Sequence, residues 1–248
     1  MTKSLSIASD SYDVAPTPRY KLHNALVAEF IGTMIFVFIG SSSFLNGNIV
    51  SIAAGHGFTI FALVASLGGV SGGHFNCAVT LSLALSGKVK PYLVPLYWIA
   101  QLGGAFVGGV LVFCVMNQTQ YDQILGGSTI PNIANTWYQA LIAEAILTAI
   151  LTQTITMTAA DTPDNILAPL AIGLSLSLSI LGLGSVSGAS LNPARSAGPA
   201  AAFSLLGSSE LSKQVWTYHY VYWGGPFLGA AFTSILYRSF FASEQRLF

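Results

Sequence analysis

Val186-Ser187-Gly188-Ala189-Ser190-Leu191-Asn192-Pro193-Ala194-Arg195-Ser196 repeats the skeleton of Val70-Ser71-Gly72-Gly73-His74-Phe75-Asn76-Cys77-Ala78-Val79-Thr80, 116 positions upstream. In both stretches a Val-Ser-Gly approach leads to an Asn, and the Asn opens a short run of small and apolar residues. Ala28-Glu29 is echoed in the same way by Ala143-Glu144, 115 positions later. One structural unit has been used twice.

The setting of that unit follows from composition. The chain is 53% apolar and 7% charged with a mean hydropathy of +0.65, far from the roughly 25% charged usage of soluble domains, and reads as a membrane protein. Formal net charge is zero, and no block of like charge points to nucleic acid. Cys77 and Cys114 both lie in apolar surroundings, which argues against a disulfide framework. Residues 1–21 form a polar leader without the basic-then-apolar opening of a signal peptide and read as disordered and cytosolic. Residues 243–248 read as a cytosolic tail.

Six long apolar stretches occur at about 24–45, 51–71, 92–116, 136–159, 167–186 and 217–241. Two shorter ones, about 76–86 and 192–202, would rise only ~16 Å, half the ~30 Å hydrocarbon core. The expected fold is an all-α membrane protein with six transmembrane helices and two re-entrant half helices, over a domain of residues 22–242. Its repeats cover about 22–116 and 136–242. Lys3, Arg19, Lys21, Lys88, Lys90, Arg238 and Arg246 fall on one side, residues 117–136 carry no Lys or Arg, and the last loop has only Lys213. The positive-inside rule therefore places both termini in the cytosol. With three spans per unit the second copy enters the membrane in the opposite sense, an inverted repeat. The half helices then meet near the midplane. Their approaches, Ser71 to Phe75 and Ser187 to Leu191, are non-helical at depth and are expected to present carbonyls to a polar path.

The chemistry of that path is set by helix ends. Two N-termini carry partial positive charge, which repels cations and protons. Asn76 and Asn192 can each cap a helix through the side-chain oxygen while offering N–H donors to a solute. A single Asn before a helix is ordinarily only a cap; two matched ones at membrane depth favour a pore for neutral, hydrogen-bonding solutes.

On these residues the chain resembles the major intrinsic protein family, the aquaporins, over about residues 22–242. Asn192-Pro193-Ala194 reads the family motif directly, Asn76-Cys77-Ala78 reads it in altered form, Arg195 follows the second copy, and Glu29 and Glu144 occupy family positions. The resemblance implies a homotetramer of independent pores and a selectivity filter at His56, Ile180, Ala189 and Arg195. That quartet is similar to the plant tonoplast intrinsic proteins and the aquaporin-8 branch, whose members pass ammonia and hydrogen peroxide besides water. Ser196 stands where glycerol facilitators carry Asp, which disfavours polyols. The expected function is a passive channel for water, ammonia and hydrogen peroxide that excludes protons and ions.

Individual residues carry further expectations. An intramembrane Arg is costly and by default functional, which singles out Arg195. Glu29 and Glu144 should accept hydrogen bonds from the re-entrant loops, and His74 should line the cytosolic vestibule. His56 either donates to a solute or satisfies a carbonyl, while His23 and His219 read as interface anchors. Gly103, Gly104, Gly108 and Gly109 suit close helix packing. Cys77, standing for Pro, should loosen the first helical turn; its thiol reacts only if exposed. Asn117-Gln118-Thr119 is a weak glycosylation sequon, and Ser4, Ser6, Ser9 and Ser11 are candidate phosphorylation sites. Two other classes share some of these features: a coupled secondary transporter of a small neutral solute, and a junctional or scaffold protein of low permeability. A transporter calls for ionisable or cation-coordinating groups near its substrate. No nucleophile, base and orienting group, nor any metal spacing, stands out, so neither enzyme activity nor a cofactor or metal is expected. Plasma and intracellular membranes are equally compatible with the chain.

Overall fold

The structure, a computed structural model, describes residues 20–242. The leader serines and the expected tail lie outside the described residues. Ten α-helices follow in order: α1 (Leu22–Ser42), α2 (Ile49–Ser71), α3 (Cys77–Leu85), α4 (Val94–Val115), α5 (Gln118–Gln123), α6 (Trp137–Ile155), α7 (Ala168–Ser187), α8 (Pro193–Leu206), α9 (Ser209–Ser212) and α10 (Val221–Leu236). Among the described residues there is no strand.

Helices α1, α2, α4, α6 and α7 are long and apolar enough to cross a membrane. The sixth span is shorter than its apolar stretch suggests. α10 has 16 residues, a rise of about 24 Å, and continues as a π-helical turn, Tyr237–Phe241. Residues 213–220 form turns instead of helix, a distinction that hydropathy alone does not make among aromatic residues. The half helices α3 and α8 start at Cys77 and Pro193, and α8 runs four residues past the expected end.

Local chemistry sets the boundaries. Asn48 caps α2 by accepting from Ser51 N at 2.8 Å, and Pro occupies the first turn of α4, α7 and α8, where its missing N–H costs nothing. Gly72 (φ 94°) and Gly188 (φ 89°) end α2 and α7 in left-handed geometry, their N–H groups bonding back to Gly68 O and Gly184 O. This is the usual glycine stop.

The two repeats pack alike. α1 lies against α4 as α6 lies against α10, α2 crosses α7, and each half helix leans on the last span of the other repeat, α3 on α10 and α8 on α4. Glycine permits these contacts. A Cβ at Gly104 would overlap Phe30 O, and one at Gly108 would stand 2.6 Å from Met34 O. Gly225 and Gly229 meet Leu141 O and Ala145 O in the matching way, and Gly57 and Gly173 each face the other's carbonyl where α2 crosses α7. Of the other expected packing glycines, Gly103 faces the Phe30 ring and Gly109 faces Ala202 and Pro199. In lipid, where apolar burial drives little helix association, such close approach is the main source of attraction. Phe36, Phe75, Leu147, Leu151, Leu176 and Leu191 fill the centre of the bundle.

Candidate functional site

The two re-entrant loops are built by the same bonds. Phe75 (φ 47°), Ala189 (φ 45°) and Leu191 (φ 57°) adopt left-handed backbone without being glycine, at a cost of roughly 1–2 kcal/mol each. Buried carboxylates hold them there. Glu29 accepts from Ser71 Oγ (2.6 Å), His74 N (2.9 Å) and Phe75 N (2.7 Å), and Glu144 from Ser187 Oγ (2.7 Å), Ser190 N (2.9 Å) and Leu191 N (2.8 Å). Bonds to an ionised acceptor are the strong kind, so each carboxylate offsets the strain of the loop it grips. Tyr97 and Tyr222 close the pattern by donating to Ser71 O and Ser187 O at 2.8 and 2.5 Å. This tyrosine pair is hidden in the sequence, because its spacing of 125 positions differs from that of the motifs.

At the junction of α3 and α8 the two asparagines reach across to each other's loop. Asn76 Nδ2 donates to Leu191 O (2.9 Å) and Asn192 Nδ2 to Phe75 O (2.8 Å). Their oxygens cap the half helices, Asn76 Oδ1 accepting from Ala78 N and Val79 N and Asn192 Oδ1 from Ala194 N. Two expectations change here. The carbonyls of Phe75 and Leu191 face the opposite asparagine instead of open path, because the half-helix ends come within hydrogen-bond reach. The Cys77 turn is closed, not loosened: its Asn cap holds two N–H groups, and Trp98 Nε1 donates to Cys77 O at 3.0 Å. Cys77 itself is free and buried, and Cys114 is free and exposed. A narrow cavity of about 20 Å³ passes this point, lined by the polar residues Asn76, Asn192, His74 and Ser190 and by apolar groups including Phe36 and Leu151. It has room for about one water. On the side where α10 ends, with Tyr237 bonded to Asp161 beside Lys88, it meets an open vestibule of about 660 Å³, whose lining includes His74, Tyr97, Lys88 and Lys90.

On the far side His56 and Arg195 come together. Both are buried, and Arg195 Nη2 lies 3.0 Å from His56 Nε2. His56 Nδ1 lies 2.9 Å from Ile52 O, an acceptor only, so Nδ1 carries the proton and Nε2 accepts from the guanidinium. His56 is therefore neutral in this arrangement. Gly40 makes room for the ring; a Cβ there would stand 2.5 Å from Nε2. Arg195 Nη1 also donates to Gly127 O at 2.7 Å, and its Cζ sits 5.5 Å from the Phe44 ring centroid. Gly127 was not singled out from sequence; the Gly126-Gly127 pair, both at positive φ, is the signal that marks its turn. Ile180 and Ala189 are buried in the same cluster as Phe36, whose ring meets His56 edge-on at 5.5 Å. A hydroxyl chain from Thr129 through Ser196 to Ser190 ties this far-side loop to α8.

Outside the path, Asn117 caps α5 by accepting from Gln120 N at 2.9 Å, a structural use for the sequon residue. Asp122 accepts from Ser208 N, Ser208 Oγ and Gln118 Nε2. Burial pushes its carboxyl up, but these bonds outweigh that and hold it below its ordinary value. His23 is exposed at the start of α1. His219, expected to face the interface, is instead buried against Trp216, ring centroids 4.5 Å apart, because the turn at 213–220 folds it inward. Among the described residues no group of three or more His, Cys, Asp or Glu could hold a metal ion.

Residues 17–237 match the Major intrinsic protein family. The chain belongs to that family. It is 34% identical to aquaporin-8 of Rattus norvegicus over 225 residues, covering 88% of this chain and 82% of the relative. It is 37% identical to the probable aquaporin TIP2-2 of Oryza sativa subsp. japonica over 245 residues, covering 92% and 89%. The fold matches the X-ray structure of the aquaglyceroporin from Plasmodium falciparum with a TM-score of 0.73 at 24% identity, over 88% of this chain and 96% of that one. As a major intrinsic protein the chain is an integral multi-pass membrane protein and a passive channel for water and small solutes, not an enzyme.

Proposed function

We propose that this major intrinsic protein passes water, ammonia and hydrogen peroxide, excludes protons and ions, and works as a homotetramer with both termini in the cytosol. The observation that carries the solute range is the turning of His56 onto Arg195. With Nε2 engaged by the guanidinium and Nδ1 by Ile52 O, the filter offers Arg195 as its donor, and Ile180 supplies an apolar residue. One strong donor beside an apolar wall suits a small neutral molecule with a lone pair. A cation meets a fixed positive charge there and two half-helix N-termini at the waist.

Asn76 and Asn192 act on water in sequence with this filter. Each amide has two N–H groups, and one is committed to the opposite loop. The remaining pair can donate to a single water oxygen. A water whose oxygen accepts both has its hydrogens turned outward and does not accept a proton from its neighbour. The tetramer is supported by the family resemblance. Orientation is supported by Lys88 and Lys90 at the vestibule beside the end of α10 and by the positive-inside rule.

Stopped-flow shrinkage of proteoliposomes with an internal pH dye tests the reading, with Ile180→His as the comparison. The expected result is fast water and ammonia entry in the parent and retained water but reduced ammonia in the variant. Fast water without ammonia in the parent would reject the solute range, and equal ammonia flux in both would reject the role of Ile180.

A further inference from the structure

In the first repeat a chain of polar side chains runs from the buried carboxylate to an imidazole, where the second repeat has a chain of hydroxyls. Gln101 Nε2 donates to Glu29 Oε2 (2.8 Å) and lies 2.9 Å from Thr80 Oγ1. Thr80 Oγ1 lies 3.0 Å from Asn76 O and 3.0 Å from His74 Nδ1. Glu29, Gln101 and Thr80 have 0% exposure and His74 has 6%, so the contacts among them lie beneath the surface of the path. At the matching places of the second repeat stand Ser190 and Ser196, hydroxyls in place of an imidazole and its partner.

Counting protons orders this chain. The carboxylate of Glu29 only accepts, so the Gln101 amide must turn its NH₂ toward it, and that NH₂ supplies its second hydrogen to Thr80 Oγ1. Thr80 then has one proton and two short contacts left. Asn76 O can only accept. If the Thr80 hydroxyl donates there, His74 Nδ1 must be the donor to Thr80, and all three contacts at Oγ1 are bonds. If the hydroxyl donates to His74 instead, two oxygens face each other at 3.0 Å with no hydrogen between them. The first assignment satisfies the set and the second does not.

We propose that Thr80, its rotor pinned by Gln101 and Glu29, is a positioning residue that holds His74 in the Nδ1–H tautomer, so that its bare Nε2 is an acceptor at the vestibule mouth of the pore. His74 lines both the narrow cavity and the vestibule, so a solute leaving the donors of Asn76 and Asn192 meets an acceptor next. Water, ammonia and hydrogen peroxide each carry a hydrogen to give it. The far-side half has Ser190 at this place, whose hydroxyl donates to Asn192 O at 2.9 Å and whose oxygen meets Ser196 Oγ, so its groups are taken up within the protein and no imidazole acceptor stands there. The consequence for flux rests on the channel reading above; the tautomer does not.

Solid-state ¹⁵N NMR of histidine-labelled protein in lipid vesicles reads the tautomer directly, with the His74 signals assigned by difference from a His74→Gln variant. The parent should show His74 protonated at Nδ1 and bare at Nε2. Thr80→Val removes the acceptor and should shift His74 toward the Nε2–H form, while Thr80→Ser should restore the parent spectrum. In the same vesicles Thr80→Val should lower water permeability by about 3- to 10-fold, the scale of one changed hydrogen bond, and Thr80→Ser should recover it. A parent His74 protonated at Nε2, or a Thr80→Val spectrum identical to the parent, would overturn the proposal even if Thr80→Val proved poorly folded, since the parent spectrum stands alone. A parent with the expected tautomer but no water flux would count against the channel reading and leave the assignment intact.

Discussion

Removing the two buried carboxylates separately should injure the two halves unequally. Glu144 receives three hydrogen bonds, from Ser187 Oγ, Ser190 N and Leu191 N. Glu29 receives the three matching bonds and a fourth from Gln101 Nε2. At about 1–3 kcal/mol for each buried donor left without a partner, Glu144→Ala exposes a gross cost of about 3–9 kcal/mol and Glu29→Ala about 4–12 kcal/mol. Both totals shrink because deleting an ion buried at membrane depth also removes its desolvation penalty, several kcal/mol per ion. That relief is common to the two sites, so the difference is the firmer quantity: one extra orphan, about 1–3 kcal/mol. A chain of this size shifts its melting midpoint by about 2–4 °C per kcal/mol. Detergent-solubilised protein heated and read by size exclusion should therefore place Glu29→Ala below Glu144→Ala by roughly 2–12 °C, and both below the parent. The excess should vanish in a Gln101→Leu background, where the fourth donor is gone. Equal midpoints for the two single variants, or Glu144→Ala melting first, would show that the carboxylates do not act by holding these donors.

Gly104→Ala and Gly229→Ala should each reduce the yield of monodisperse protein, since the new methyl overlaps a backbone carbonyl across a helix crossing and overpacking costs about 1–3 kcal/mol or more. Gly69→Ala, facing open space, should elute as the parent does; loss in all three or in none would discount the crossing argument. Asp122→Asn should lower thermal stability at neutral pH. The carboxyl of Asp122 is held below its ordinary value in the fold, so its contribution is present above that value and is lost as pH falls through the depressed one. Parent and variant should then converge in acid, and a gap that persists there would contradict the assignment.

The legible part of this protein is the part written twice in sequence. Paired motifs at a spacing of 116 positions located both half helices, both caps and the inverted order of the repeats, and matched Ala-Glu pairs located the carboxylates. Hydropathy located the spans because burial in lipid acts on about twenty residues at a time. It misjudged the start of α10, where aromatic residues in a turn are as apolar as aromatic residues in a helix. Tyr97 and Tyr222 escaped because the connections before them differ in length between the repeats.

Sequence by itself determined that this is a duplicated, all-helical membrane protein of the channel-forming kind whose two half helices each open on an asparagine. Those features rest on short-range signals: composition, apolar run length, capping residues and a repeat at constant spacing. Only the tertiary structure decided which donor meets which acceptor. The Asn76 amide bonds to Leu191 O, 115 residues away, and His56 Nε2 meets Arg195, 139 residues away. The direction of each hydrogen bond, and with it the tautomer of His56, depends on all partners at once. Folding brings those partners together through helix crossings whose register is set by glycines against carbonyl oxygens, a steric fit that local pattern does not encode.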